Sequence, residues 1–270
     1  MLRALLSLLL LLASPAFAQI WNSNAGGWNT GYGTVYGSFG LAQATQGMYN
    51  TMQMNLARAT MRQAMINKWG LAAVEKAERE AAAGKQPSQP GLEVQPPRPV
   101  KNQGVFKPDK KVNTAKTLAD GLGGTPEEKQ FVTAIFQATK QSFEAQPETK
   151  AWRNNIAGAL AFFLIGNITI YQGAEEPSDE ASQALFVAIN QMVDEVPEFG
   201  KMSNKDKQAF YDTLIGFTGI PLALATEANE KQDAEGAAAA RAMSGELLKL
   251  VLKVDPAKLK IENGAFVFGK

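Results

Sequence analysis

The chain has 270 residues, 45% of them hydrophobic and 20% charged, with a formal net charge of +1 and neither Cys nor His. This composition excludes disulfides, thiol nucleophiles, Ser-His-Asp triads, and zinc sites built on imidazole or thiolate. The basic residues are dispersed, so no dense patch points to nucleic acid, and no motif calls for a cofactor.

Residues 1–18 have the pattern of a secretory signal. Arg3 supplies the positive charge, Leu5 to Leu12 is apolar apart from Ser7, and Ala16-Phe17-Ala18 is a small-x-small cleavage site. Cleavage after Ala18 gives a mature chain starting at Gln19, in the periplasm or outside the cell. The apolar run is too short to remain as a membrane span. Residues 19–44 form a leader rich in Gly and aromatics. Trp21 to Gly40 has six Gly, five aromatics and no charge, and Trp21, Trp28, Tyr32 and Tyr36 are candidate contacts for a partner.

Residues 45–83 read as one long helix with a weak point at Gly70. Met48, Met52 and Leu56 share one face, and Met54, Met61 and Met65 share another. The first face, through Met48 and Met52, is a candidate partner surface, and the segment could pair with a second copy of itself. The second is a candidate Cu(I) site, since thioethers are soft ligands. Residues 84–108 carry Pro87, Pro90, Pro96, Pro97, Pro99 and Pro108, a linker biased toward extended backbone. Charge divides near this point. Residues 19–111 hold 11 basic and 5 acidic side chains, and residues 112–270 hold 15 and 21. Such a division fits two solvated regions, or a basic arm that folds back on an acidic body or meets an anionic partner.

Residues 109–270 read as a helical domain. Val112 to Asp120 is a short helix ended by Gly121. Thr125-Pro126-Glu127-Glu128 is a capping box opening a helix that Pro147 stops. Glu148 to Gln172 is the next helix. Its stretch Ile156 to Ile170 is apolar on nearly every side, broken by Asn167 and Thr169, which marks the buried centre of the domain. Ser178 and Ser203 cap two further helices, the second punctuated by Gly219-Ile220-Pro221. A last helix runs to about Val254, and Asn263-Gly264 predicts a terminal hairpin. The expected fold is all-α: a bundle of about five to six helices, with the long N-terminal helix outside the core and a short extended C-terminal tail.

Candidate chemistry is sparse. Gly31-Tyr32-Gly33 and Gly264 to Lys270 begin like phosphate-binding loops but lack the residues and context that complete them. The acidic pairs Glu127/Glu128, Glu175/Glu176 and Asp179/Glu180 sit at helix starts or in loops, where acids complement the helix dipole. Paired carboxylates of this kind leave open a polysaccharide hydrolase. The best single catalytic candidate is Asp212, beside Tyr211 and within reach of Arg241 on the last helix; a structural ion pair between packed helices is the alternative, and the favoured one.

The stretch from about Phe106 to Glu262 resembles a family of secreted bacterial proteins known only as a domain of unknown function. The resemblance rests on Phe106-Lys107-Pro108, the apolar helix Ala157 to Phe163 followed by Tyr171-Gln172-Gly173, Lys207 to Asp212, and Ala240-Arg241 ahead of Val254-Asp255-Pro256. It implies a signal peptide, a variable leader and a helical C-terminal domain. It supplies no activity. The reading from the residues is a non-enzymatic envelope or extracellular protein that makes its contacts through the N-terminal arm.

Overall fold

A computed structural model describes residues 45–269. The signal segment and the leader, with Trp21, Trp28, Tyr32 and Tyr36, lie outside the described residues. The helices are α1 (Thr45–Trp69), α2 (Leu71–Ala82), α3 (Thr114–Leu122), α4 (Pro126–Ala145), α5 (Ile156–Gln172), α6 (Asp179–Glu195), α7 (Pro197–Lys201), α8 (Asn204–Lys231) and α9 (Ala234–Leu252). Short 3-10 turns at Pro147–Trp152 and Pro256–Lys258 and a hairpin of β1 (Leu259–Glu262) and β2 (Ala265–Phe268) complete them.

The expected all-α bundle with a short extended tail is what the chain forms. Its centre is α5, where every residue from Ile156 to Ile170 is buried. α8 and α9 pack on α5 and on each other, α3 and α4 cover α8, and α6 lies on the remaining side of α5. Gly166 sets the closeness of the α5–α8 crossing: a Cβ there would fall 2.6 Å from Thr218 Cγ2. α8 is long and apolar enough to cross a membrane, but most of that stretch is buried inside the bundle.

Local signals placed most boundaries. Thr125 and Glu128 form the reciprocal capping box of α4. Ser178 and Ser203 accept backbone N–H bonds at the starts of α6 and α8. The hairpin pairs Leu259 with Phe268 and Glu262 with Ala265, turning through Asn263 and Gly264 at φ 51° and 73°. The Gln172 side chain fastens it to α5, accepting from Ile261 N at 2.9 Å and donating to Leu259 O at 3.1 Å.

Four expectations are corrected. The N-terminal helix is not outside the core. Met48, Tyr49, Met52 and Leu56 are buried in the main hydrophobic cluster, and α1 packs along α6. Arg58, Arg62 and Lys68 are the only charges of α1, whereas α6 carries Asp179, Glu180, Asp194 and Glu195 and no base. Arg62 nevertheless pairs with Glu78 of α2, and it is Arg98 of the Pro-rich stretch that pairs with Glu195 of α6. Gly70, at φ 85°, ends α1, and α2 doubles back so that Val74 and Ala77 pack beside Ile66 and Trp69.

Second, the Pro-rich stretch is extended but fastened rather than a free linker. Leu92 is buried against α2, and the backbone N–H groups of Lys101, Asn102 and Gln103 donate to the Asp194 carboxylate at 2.7, 3.2 and 2.8 Å. Third, the helix expected from Glu148 begins at Ile156. Asn155 caps it, accepting from Ala157 N, and the preceding residues form the 3-10 turn. The short helix expected over Val112 to Asp120 likewise runs from Thr114 to Leu122, through Gly121.

Fourth, α8 passes unbroken through Gly219-Ile220-Pro221. Proline has no N–H to give the carbonyl four residues back. That carbonyl, Phe217 O, instead accepts from the Asn167 side chain of α5 at 3.4 Å, and the same amide donates to Phe163 O at 2.9 Å. Asn167 is fully buried, and its amide serves the helix crossing.

Candidate functional site

Asp212 sits in the first half of α8 with a side chain only 3% exposed. Lys140 of α4 donates to its Oδ1 at 2.7 Å, and Thr114 of α3 donates to Oδ2 at 3.2 Å. The Gln208 side chain also bonds to Asp212, while its Oε1 accepts the Asp109 backbone N–H at 2.6 Å. Burial pushes the Asp212 carboxyl above its ordinary range, and the Lys140 ammonium partly restrains the rise. Tyr211 donates its hydroxyl to Glu144 Oε1 at 3.1 Å and meets Phe106 edge-on at 5.2 Å. Burial, then the charge of Glu144, raises its phenol well above the ordinary value. Both carboxylate oxygens of Asp212 are therefore engaged by residues that join α3, α4 and α8. This arrangement holds a helix junction and leaves little of the carboxylate to act on a substrate.

Arg241 is not the partner of Asp212. It lies near the other end of α8, over the C-terminus of α5, where a Cβ on Gly173 would fall 3.2 Å from its Nη2. A guanidinium there complements the negative end of the α5 dipole. It also lines a cleft of about 620 Å³ between the ends of α5, α8 and the start of α9. Glu175, Glu176 and Asn229 contribute polar groups, and Ile170, Leu222 and Ala225 form the apolar wall. Thr169 also lines it. This residue is 9% exposed, and its Oγ1 has no hydrogen-bond partner among the described residues.

The methionines divide by face. Met48 and Met52 are fully buried and belong to the core. The expectation that they meet a partner is corrected: their i, i+4 spacing is the same for a helix seated on its own domain. Met54 and Met61 are 56% and 64% exposed, and Met65 packs in the small cluster with Val74, Ala77 and Leu92. Seven residues of helix separate Met54 from Met61 by about 10 Å. The three thioethers therefore do not converge on one ion, as the Cu(I) expectation requires.

The acidic pairs also separate. Glu128 is engaged in the α4 capping box, Asp179 and Glu180 occupy the first turn of α6, and Glu175 and Glu176 stand at the Arg241 cleft.

The sequence profile of DUF6683, a family of unknown function, matches residues 1–269. The chain belongs to this family. No curated protein and no solved structure matches it. Within this DUF6683 chain, two of the stretches that carried the resemblance, Tyr171-Gln172-Gly173 and Ala240-Arg241, meet at the cleft. Sequence reasoning missed Lys140, Thr114 and Thr169. Lys140 follows Phe136 by four residues and precedes Phe143 by three, on the buried face of α4, a position where a lysine needs an acid nearby. Thr169 interrupts an otherwise apolar run, which signals a polar group at the edge of the core.

Proposed function

We propose that the DUF6683 chain is an exported, non-enzymatic binding protein that associates with a second copy of itself through the outer face of α1. The observation that carries the reading is the division of α1. Its inner face is locked into the core, while Met54, Ala57, Met61 and Ala64 remain exposed in a 3-4-3 spacing. This is the spacing by which two helices pack. In an antiparallel pair, Met54 of one copy faces Ala64 of the other and Ala57 faces Met61. Each long side chain then meets a small one, and adaptable Met suits such a seam. Export is supported by the signal pattern of residues 1–18. The leader, with Trp21, Trp28, Tyr32 and Tyr36, adds contacts to an envelope or extracellular protein.

Analytical ultracentrifugation of the mature chain tests this. A concentration-dependent dimer is expected, converted to monomer by Met61→Glu with unchanged helix content. A monomer at every concentration, or a dimer indifferent to Met61→Glu, rejects the reading. Mass spectrometry of the exported protein is expected to find Gln19 first.

A further inference from the structure

The Arg241 cleft has the makings of a ligand site that is separate from the α1 face. Its volume, about 620 Å³, lies within the range of small-molecule sites, roughly 300–1,000 Å³. One wall is apolar, from Ile170, Leu222 and Ala225. Two polar groups mark it, Arg241 and Thr169. Arg241 makes no ion pair with a described residue. Thr169 Oγ1, in a residue more than nine-tenths buried, has no hydrogen-bond partner among the described residues.

Charge narrows the class of ligand. The cleft presents one guanidinium together with the carboxylates of Glu175 and Glu176. A simple anion would pair with Arg241 and face two acids. A simple cation would face Arg241. A molecule carrying both charges with an apolar body satisfies the lining. We propose that the cleft binds a small zwitterion, a free amino acid or short peptide with an apolar side chain. Its carboxylate pairs with the Arg241 guanidinium in the bidentate geometry that arginine favours. Its ammonium lies toward Glu175, and its side chain rests on the apolar wall beside Ala225.

Leucyl-leucine is the probe, titrated into the full chain by calorimetry and followed by amide chemical shifts. Saturable binding is expected, with shifts centred on Gly173, Thr226 and Ala237. Arg241→Gln is expected to weaken binding about tenfold or more, the effect of losing a charge-assisted pair. Isocaproate, lacking the ammonium, and isoamylamine, lacking the carboxylate, are each expected to bind about tenfold more weakly than the dipeptide. Absence of saturable binding overturns the proposal. So does equal binding of leucyl-leucine capped at both ends, of isocaproate or of isoamylamine, or an unchanged affinity in Arg241→Gln. Arg241 is exposed, so its variant changes the cleft without disturbing the core. The dimer measured on α1 is indifferent to these outcomes.

Discussion

A polar cluster lies toward each end of α8, and the two are built to opposite rules. Around Asp212 the charged group is buried, yet Lys140, Thr114 and Gln208 all reach it. Around Arg241 the charge is open, and the hydroxyl of Thr169 behind it is left without a described partner. The first cluster spends its hydrogen bonds on joining three helices. The second leaves an exposed guanidinium on the lining of a cleft. Sequence singled out Asp212 and Arg241 as one pair, but the length of α8 separates them.

The largest effect expected from breaking this comparison is at Lys140. Lys140→Met leaves the buried Asp212 carboxylate without its counter-charge, at a cost of about 3 kcal/mol near neutral pH, as for other broken buried pairs. The pH dependence has a definite sign. Burial raises the folded pKa of Asp212 above its unfolded value, so between those values the folded chain holds the proton more tightly. The contribution of this group to stability is therefore greatest below the unfolded carboxylate value and is lost as pH rises through the folded one. Without Lys140 the folded value rises further. Urea denaturation at neutral pH and again in the ordinary carboxylate range is expected to show the Lys140→Met deficit shrinking in acid. An equal deficit at both would mean that Asp212 is not the charge responsible.

The middle of α8 gives a smaller effect. Asn167→Ala removes the donor to the Phe217 carbonyl that Pro221 leaves open, and about 2 kcal/mol of stability is expected to go with it. Pro221→Ala restores the helical N–H. In that background the loss from Asn167→Ala is expected to be smaller by about 1 kcal/mol, a coupling that a double-mutant cycle reads directly. Additive losses would remove Asn167 from this role. The smallest effect sharpens the contrast between the two ends. Arg241→Gln is expected to leave stability within about 0.5 kcal/mol, as for surface substitutions away from buried networks. A melting temperature lowered as far as that of Lys140→Met would make the Arg241 end as structural as the other.

Much of the fold was legible because local chemistry repeats itself. Thr125 with Glu128, Ser178, Ser203 and Asn263-Gly264 each satisfy or turn backbone groups within a few residues, so their signal lies wholly in the neighbouring sequence. The all-round apolar run of Ile156 to Ile170 could only be a buried centre. The candidate sites were legible only in part. Asp212 was found, but its partners lie on α3 and α4, distant in sequence. The face of Met48 and Met52 has the same spacing whether a helix meets its own domain or another molecule, so periodicity alone could not assign the covering surface.

The sequence by itself determined where most helices start, that they form a bundle, and which one lies at the centre. These follow from backbone capping and from the period of apolar residues, both local properties. Only the tertiary structure decided that α1 joins the core, that the Pro-rich stretch is tied down by Asp194, and that α8 continues through Pro221. It also decided that Arg241 faces a cleft instead of Asp212. Each of these depends on a group supplied from a distant part of the chain, and long-range satisfaction of buried polar and apolar surface appears only when the helices are assembled.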